Sequence, residues 1–139
     1  MIAQIAGRAL RASSPGLRFS SSKITRLGTE VLPTMSQAVV HGNVVYTAGI
    51  VDGSADDLEG QMENILAKID GYLEEAGTDK STLLTGTVWL KDIERDFAAM
   101  NKVWNGWIDP DNKPVRATTQ ASLASPDLLI EIQVTAAKN

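Results

Sequence analysis

The sequence has no cysteine and only one histidine, His41. The first absence excludes disulfides, thiolate metal sites and a cysteine nucleophile. The second excludes a multi-histidine metal site and weakens any Ser-His-Asp scheme, so no metal is expected. His41 stands in V-V-H-G-N-V-V, the pattern of a turn between two strands. Basic residues are outnumbered, 13 against 17 acids, and the net charge of -4 does not suggest a nucleic-acid-binding surface.

Acid is missing altogether from the first 22 residues, which carry Arg8, Arg11 and Arg18, whereas the first carboxylate of the chain is Glu30. An arginine-bearing, acid-free leader ending in Ser20-Ser21-Ser22 reads as an organellar transit peptide, which places the protein in the mitochondrial matrix. A plain surface tail is the other reading and leaves the protein cytoplasmic. The leader's apolar runs are broken by arginines and too short for a secretory or membrane-spanning segment, so no membrane partner is expected. The remaining residues, 23–139, suffice for one domain with its own core.

Along that domain, 23–28 (K-I-T-R-L-G) reads as a first strand, and 36–40 and 44–48 as a hairpin turning at His41-Gly42-Asn43. Ser54, Asp56 and Asp57 signal a helix start close to a capping box. Leu58, Met62, Ile65, Leu66, Ile69 and Leu73 then recur at helical spacing, and Gly77 is a natural stop. A strand over 83–90 precedes a second helix that begins near Asp92 and carries Phe97, Met100, Trp104, Trp107 and Ile108 as core or subunit contact. Asn101, four residues after Phe97, falls on the face expected to be buried, so its amide needs a partner there or a cleft. The order β-β-β-α-β-α-β-β predicts an α+β domain, a mixed sheet of six strands with two helices on one face.

The last two strands form the most suggestive stretch. In P-V-R-A-T-T-Q-A-S-L, Arg116, Thr118 and Gln120 share one strand face; in L-L-I-E-I-Q-V, Glu131 and Gln133 do. A hairpin over Ser125-Pro126-Asp127 with Leu123 opposite Leu128 sets Gln120 opposite Glu131 and puts both polar sets on one sheet face. An ordinary solvated face carries the same residue types, and the pattern by itself favours that reading.

Three segments, P-T-M-S-Q-A-V-V-H-G-N-V-V-Y-T-A-G, D-F-A-A-M-N-K-V-W, and P-V-R-A-T-T-Q-A followed by L-I-E-I-Q-V-T-A, resemble the Rid family of reactive intermediate deaminases, also called YjgF or RutC. The resemblance spans roughly 27–137. It implies a chorismate-mutase-like α+β fold, a homotrimer with active sites between subunits, and hydrolysis of 2-imino acids to 2-oxo acids and ammonia without metal or cofactor. It also assigns roles: Arg116 to binding the substrate carboxylate, Glu131 to the reacting water, Gly49 to a backbone wall of the pocket, and Asn101 to the helical asparagine. The chain departs from the family pattern at Met35, where a tyrosine is usual, at Ala48, where a serine is usual, and at Thr118, where a cysteine is usual. Three pocket groups are thus replaced, which keeps open a non-catalytic protein that binds a small carboxylate on the same trimeric scaffold. Endoribonuclease or translation-inhibitor activity, attached to some members, fits the acidic body poorly.

Overall fold

The computed structural model describes residues 23–138, so the leader expected over 1–22 lies outside the described residues. The elements are β1 (Ile24–Leu27), β2 (Ala38–His41), β3 (Val44–Thr47), α1 (Leu58–Glu75), β4 (Leu83–Leu90), α2 (Ile93–Trp107), β5 (Val115–Gln120) and β6 (Ile130–Ala137), in the expected order. Their boundaries follow from local chemistry. His41 pairs with Val44, so the β2–β3 turn is Gly42-Asn43 alone, and Gly42 supplies the positive φ of 60° that a two-residue hairpin turn demands. Asp57 rather than Ser54 caps α1, accepting from the Gly60 amide at 2.9 Å. At the other end Gly77 takes a φ of 85°, and the amides of Gly77 and Thr78 close back on the carbonyls of Glu74 and Leu73. Asp92 caps α2 through the Arg95 amide.

The two helices pack on one sheet face, where Leu58, Met62, Ile65, Ile69 and Leu73 of α1 and Met100 and Trp104 of α2 join Val45, Val88, Leu90, Ile130, Ile132 and Val134 in a single buried core. One buried glutamine ties this layer together. The Gln61 side chain donates to the Ala55 and Asp127 carbonyls and accepts from the Leu129 amide, so all its polar atoms are satisfied where α1 meets the approach to β6. Phe97, expected in the buried stripe of α2, is 43% exposed; Asp96 is the buried residue of that turn, paired with Arg95.

The sheet order is β1-β2-β3-β6-β4-β5, and it overturns the expected hairpin. β4 lies between β5 and β6, parallel to the first and antiparallel to the second. Gly86 is the common neighbour of Arg116 and Val134, and Trp89 that of Thr119 and Glu131. Because directly paired residues point to the same side, Arg116, Thr118 and Gln120 lie on the helix-covered face with Val134, Ile132 and Ile130. Glu131 and Gln133 lie on the opposite, open face. That open face is not simply polar: Val115 is 70% exposed there, and Tyr46 is also exposed. β5 is therefore inverted, its polar side turned inward beneath α2 and its apolar side turned out.

Candidate active site

Arg116 reaches inward from an edge strand. Its Nη2 donates to Asn101 Oδ1 at 2.7 Å, giving the helical asparagine the partner its position required, and the guanidinium carbon lies 5.3 Å from the centroid of the Trp104 ring. No carboxylate lies within ion-pair distance of it among the described residues. Burial pulls its pKa below the ordinary arginine value, yet a guanidinium stays protonated at neutral pH. The site thus holds a partly desolvated cation that, among the described residues, is not ion-paired and keeps N–H donors beyond the one given to Asn101. Two residues further along β5, the Thr118 hydroxyl is buried without a hydrogen-bond partner. Gln120 has a structural role instead, its Oε1 accepting from the Ile93 amide at the start of α2.

Glu131 is placed by a separate device. After Thr47 the β3–β6 pairing slips: the Thr47 hydroxyl bonds both the amide and the carbonyl of Val134, and pairing resumes with reciprocal bonds between Ile50 and Ile132. The shifted segment lays Gly49 under the Glu131 carboxylate. A Cβ built on Gly49 would stand 1.9 Å from Glu131 Oε1, so the absence of a side chain at 49 is what leaves room for the carboxylate. Met35, on the β1–β2 connection, is 43% exposed and forms an isolated bridge with Leu32.

Two pairs of candidate residues result, Arg116 with Asn101 and Glu131 with Gly49. Within one chain they do not meet. They occupy opposite sheet faces, two strands apart and three residues out of register, or about 10 Å in each direction at ordinary strand spacings. A groove of about 520 Å³ does exist between α1 and α2, lined in part by Leu66, Asp70, Lys80 and Trp107, and neither pair contributes to it.

The family model described as Endoribonuclease L-PSP matches residues 29–138. The RutC family protein YoaB of Escherichia coli K12 is 42% identical over 102 residues, covering 73% of this chain and 89% of the relative. The chain belongs to the RutC (YjgF) family. A RutC family protein of Haemophilus ducreyi is 39% identical over 118 residues, covering 84% of this chain and 97% of that one. Among solved structures, NMB1025 of Neisseria meningitidis, a YjgF protein family member, superposes with a TM-score of 0.81 at 34% identity, covering 86% of this chain and 98% of that chain. The mixed six-stranded sheet with two helices is therefore a RutC-family fold.

Two further residues beside Arg116 are not marked as candidates by the strand and helix patterns. Trp104 reads as core, and it is core, but one face of its ring also meets Arg116. Gly86 interrupts the apolar strand L-L-T-G-T-V-W-L, a signal of close approach by another group, and the group that approaches is Trp104.

Proposed function

We propose that the protein hydrolyses reactive 2-imino acids to 2-oxo acids and ammonia, at sites built between copies of the chain in a homotrimer. The observation that carries this reading is Arg116, a partly buried guanidinium that donates to Asn101 and has no carboxylate within ion-pair distance among the described residues. Such a group suits bidentate capture of a carboxylate, and holding that end orients the adjacent imine carbon. The water oxygen bonds to C2 while Glu131 takes a water proton and passes it to the imine nitrogen. The resulting carbinolamine then loses ammonia: its hydroxyl proton travels through Glu131 to the leaving nitrogen as the C–N bond breaks and the carbonyl forms. Water and imine are consumed, the 2-oxo acid and ammonia are released, and Glu131 is regenerated.

The number of copies, three, is taken from the family resemblance, and the geometry of the single chain supports a site shared between copies. Since Arg116 and Glu131 cannot meet within one chain, the active cleft takes the arginine pair from one copy and the glutamate pair from the next. Covering the open sheet face also removes exposed Val115 and Tyr46 from water. Residues 1–22 serve, on this reading, as a mitochondrial targeting segment.

The experiment is stopped-flow decay of enzymatically generated 2-imino acids from several amino-acid precursors. Acceleration over the spontaneous rate is expected, and no acceleration with any precursor overturns the proposal. Met35, Ala48 and Thr118, in place of the usual tyrosine, serine and cysteine, favour one second reading, a carboxylate-binding protein without turnover. Calorimetric binding of 2-oxo acids with no hydrolysis would establish it. Endoribonuclease activity, the description attached to the family model, is tested by the same purified protein on RNA.

A further inference from the structure

The Trp104 ring occupies a place that only a glycine leaves open. Gly86 and Arg116 are direct neighbours across the β4–β5 pair, both facing α2. A Cβ at Gly86 would stand 2.7 Å from Trp104 Cη2 and 3.4 Å from Cζ2. The missing side chain lets the six-membered edge of the indole descend to the sheet beside the arginine stem. Behind it, Trp104 leans on Trp107 at a centroid distance of 5.5 Å, and Trp107 Nε1 donates to both oxygens of Asp70 on α1 at 3.1 and 3.0 Å. The ring is only slightly exposed, and its orientation is fixed from three sides.

We infer that Trp104, seated on Gly86, is the positioning residue that sets the plane of the Arg116 guanidinium, so that the substrate carboxylate must approach edge-on. A guanidinium carries all its N–H donors in one plane. The indole lies to one side of the guanidinium, its centroid 5.3 Å from the guanidinium carbon, and takes no N–H donor, while Asn101 accepts from Nη2 and restrains rotation. The remaining donors form a fork suited to a planar carboxylate. The inference deepens the imine-hydrolysis reading and rests on it for the identity of the ligand, though not for the contact between ring and guanidinium.

Three variants test it: Trp104→Leu removes the ring, Trp104→Phe restores one, and Gly86→Ala displaces the ring by contact while leaving the identity of both Trp104 and Arg116 unchanged. Calorimetry with 2-oxobutanoate should show roughly tenfold weaker binding for Trp104→Leu and Gly86→Ala, and near wild-type binding for Trp104→Phe. In hydrolysis the loss should appear mainly in KM. Ligand-free NMR supplies the independent readout: the Arg116 Nε–H resonance, assigned by its loss in Arg116→Lys, should be shifted by the indole ring current in the wild type. It should move toward the free-arginine position in Gly86→Ala. A wild-type protein with the shifted resonance but no affinity for any 2-oxo acid would sink the substrate reading while upholding the placement of the ring beside Arg116. Unshifted wild-type resonance, or unchanged affinity in folded Trp104→Leu and Gly86→Ala, would overturn the inference.

Discussion

Replacing Gly49 with alanine separates function from stability more cleanly than any change to a charged residue. The new methyl would lie 1.9 Å from Glu131 Oε1, 2.9 Å from its Cδ and 3.2 Å from its Cγ, so the carboxylate must swing away. The backbone has no objection, because Gly28, Gly42 and Gly77 have positive φ among the described glycines and Gly49 does not. Moving a partly exposed side chain to another rotamer costs about 1 kcal/mol, and alanine returns about 0.4–1 kcal/mol through the reduced entropy of the unfolded chain. Net stability should therefore stay within about 1 kcal/mol, a few degrees in Tm for a domain of this size. Activity should not survive so well. General acid–base groups contribute on the order of 10²–10⁴ in rate, so a displaced Glu131 should lower kcat at least about a hundredfold. The assay is stopped-flow imine hydrolysis beside thermal unfolding. Wild-type kcat in a folded Gly49→Ala protein would refute the placement of Glu131 over Gly49 as the catalytic arrangement.

Other perturbations bear on the remaining parts. Arg116→Lys keeps the charge but loses the planar fork, and should raise KM for 2-imino acids roughly tenfold or more with the Tm little changed, by steady-state kinetics. Gly77→Ala places a side chain at a φ of 85° and should destabilise by about 1 kcal/mol in urea melts with no effect on turnover. Asp52 is held well below the usual carboxylate range, first by the Lys68 ammonium 2.7 Å away and then by Ser54. Its contribution is therefore present above the unfolded carboxylate pKa of about 3.9 and lost as pH falls through that value toward the lower folded one. With Lys68 half exposed, Asp52→Asn should cost no more than about 1 kcal/mol at pH 7, and the gap from wild type in denaturant melts should close below about pH 4.

Most element positions were legible because they depend on short-range chemistry. The Asp57 and Asp92 caps, the Gly42 and Gly77 turns and the 3.6-residue stripe of α1 all act within a few residues. The partner of β5 was not legible for the opposite reason. Alternation tells which residues of one strand share a face, but which face of the next strand they join depends on register with a neighbour. The turn signal at Ser125-Pro126-Asp127 suggested that β5 and β6 pair with each other, whereas β4, contributed from 25 or more positions earlier, separates them and reverses the parity. The site residues named through the family resemblance came out in two local pairs, Arg116 with Asn101 and Glu131 with Gly49. Their separation onto opposite faces is a property of the sheet, and no strand pattern encodes it. Trp104 shows the same limit, since its apolar periodicity marks it as core without indicating what lies beside its ring.

Subunit complementation tests the central claim, that each active site joins Arg116 of one chain to Glu131 of another. Arg116→Ala and Glu131→Gln proteins, each inactive alone, are unfolded together, refolded at equal concentrations as mixed trimers, and assayed for 2-imino acid hydrolysis. With sites shared between neighbouring copies and random assembly, about a quarter of the clefts receive an intact residue from each side, and about a quarter of wild-type activity should return. If both residues serve a site within one chain, every chain in the mixture lacks one of them. Mixed trimers with no recovered activity, alongside active refolded wild type, would contradict the account.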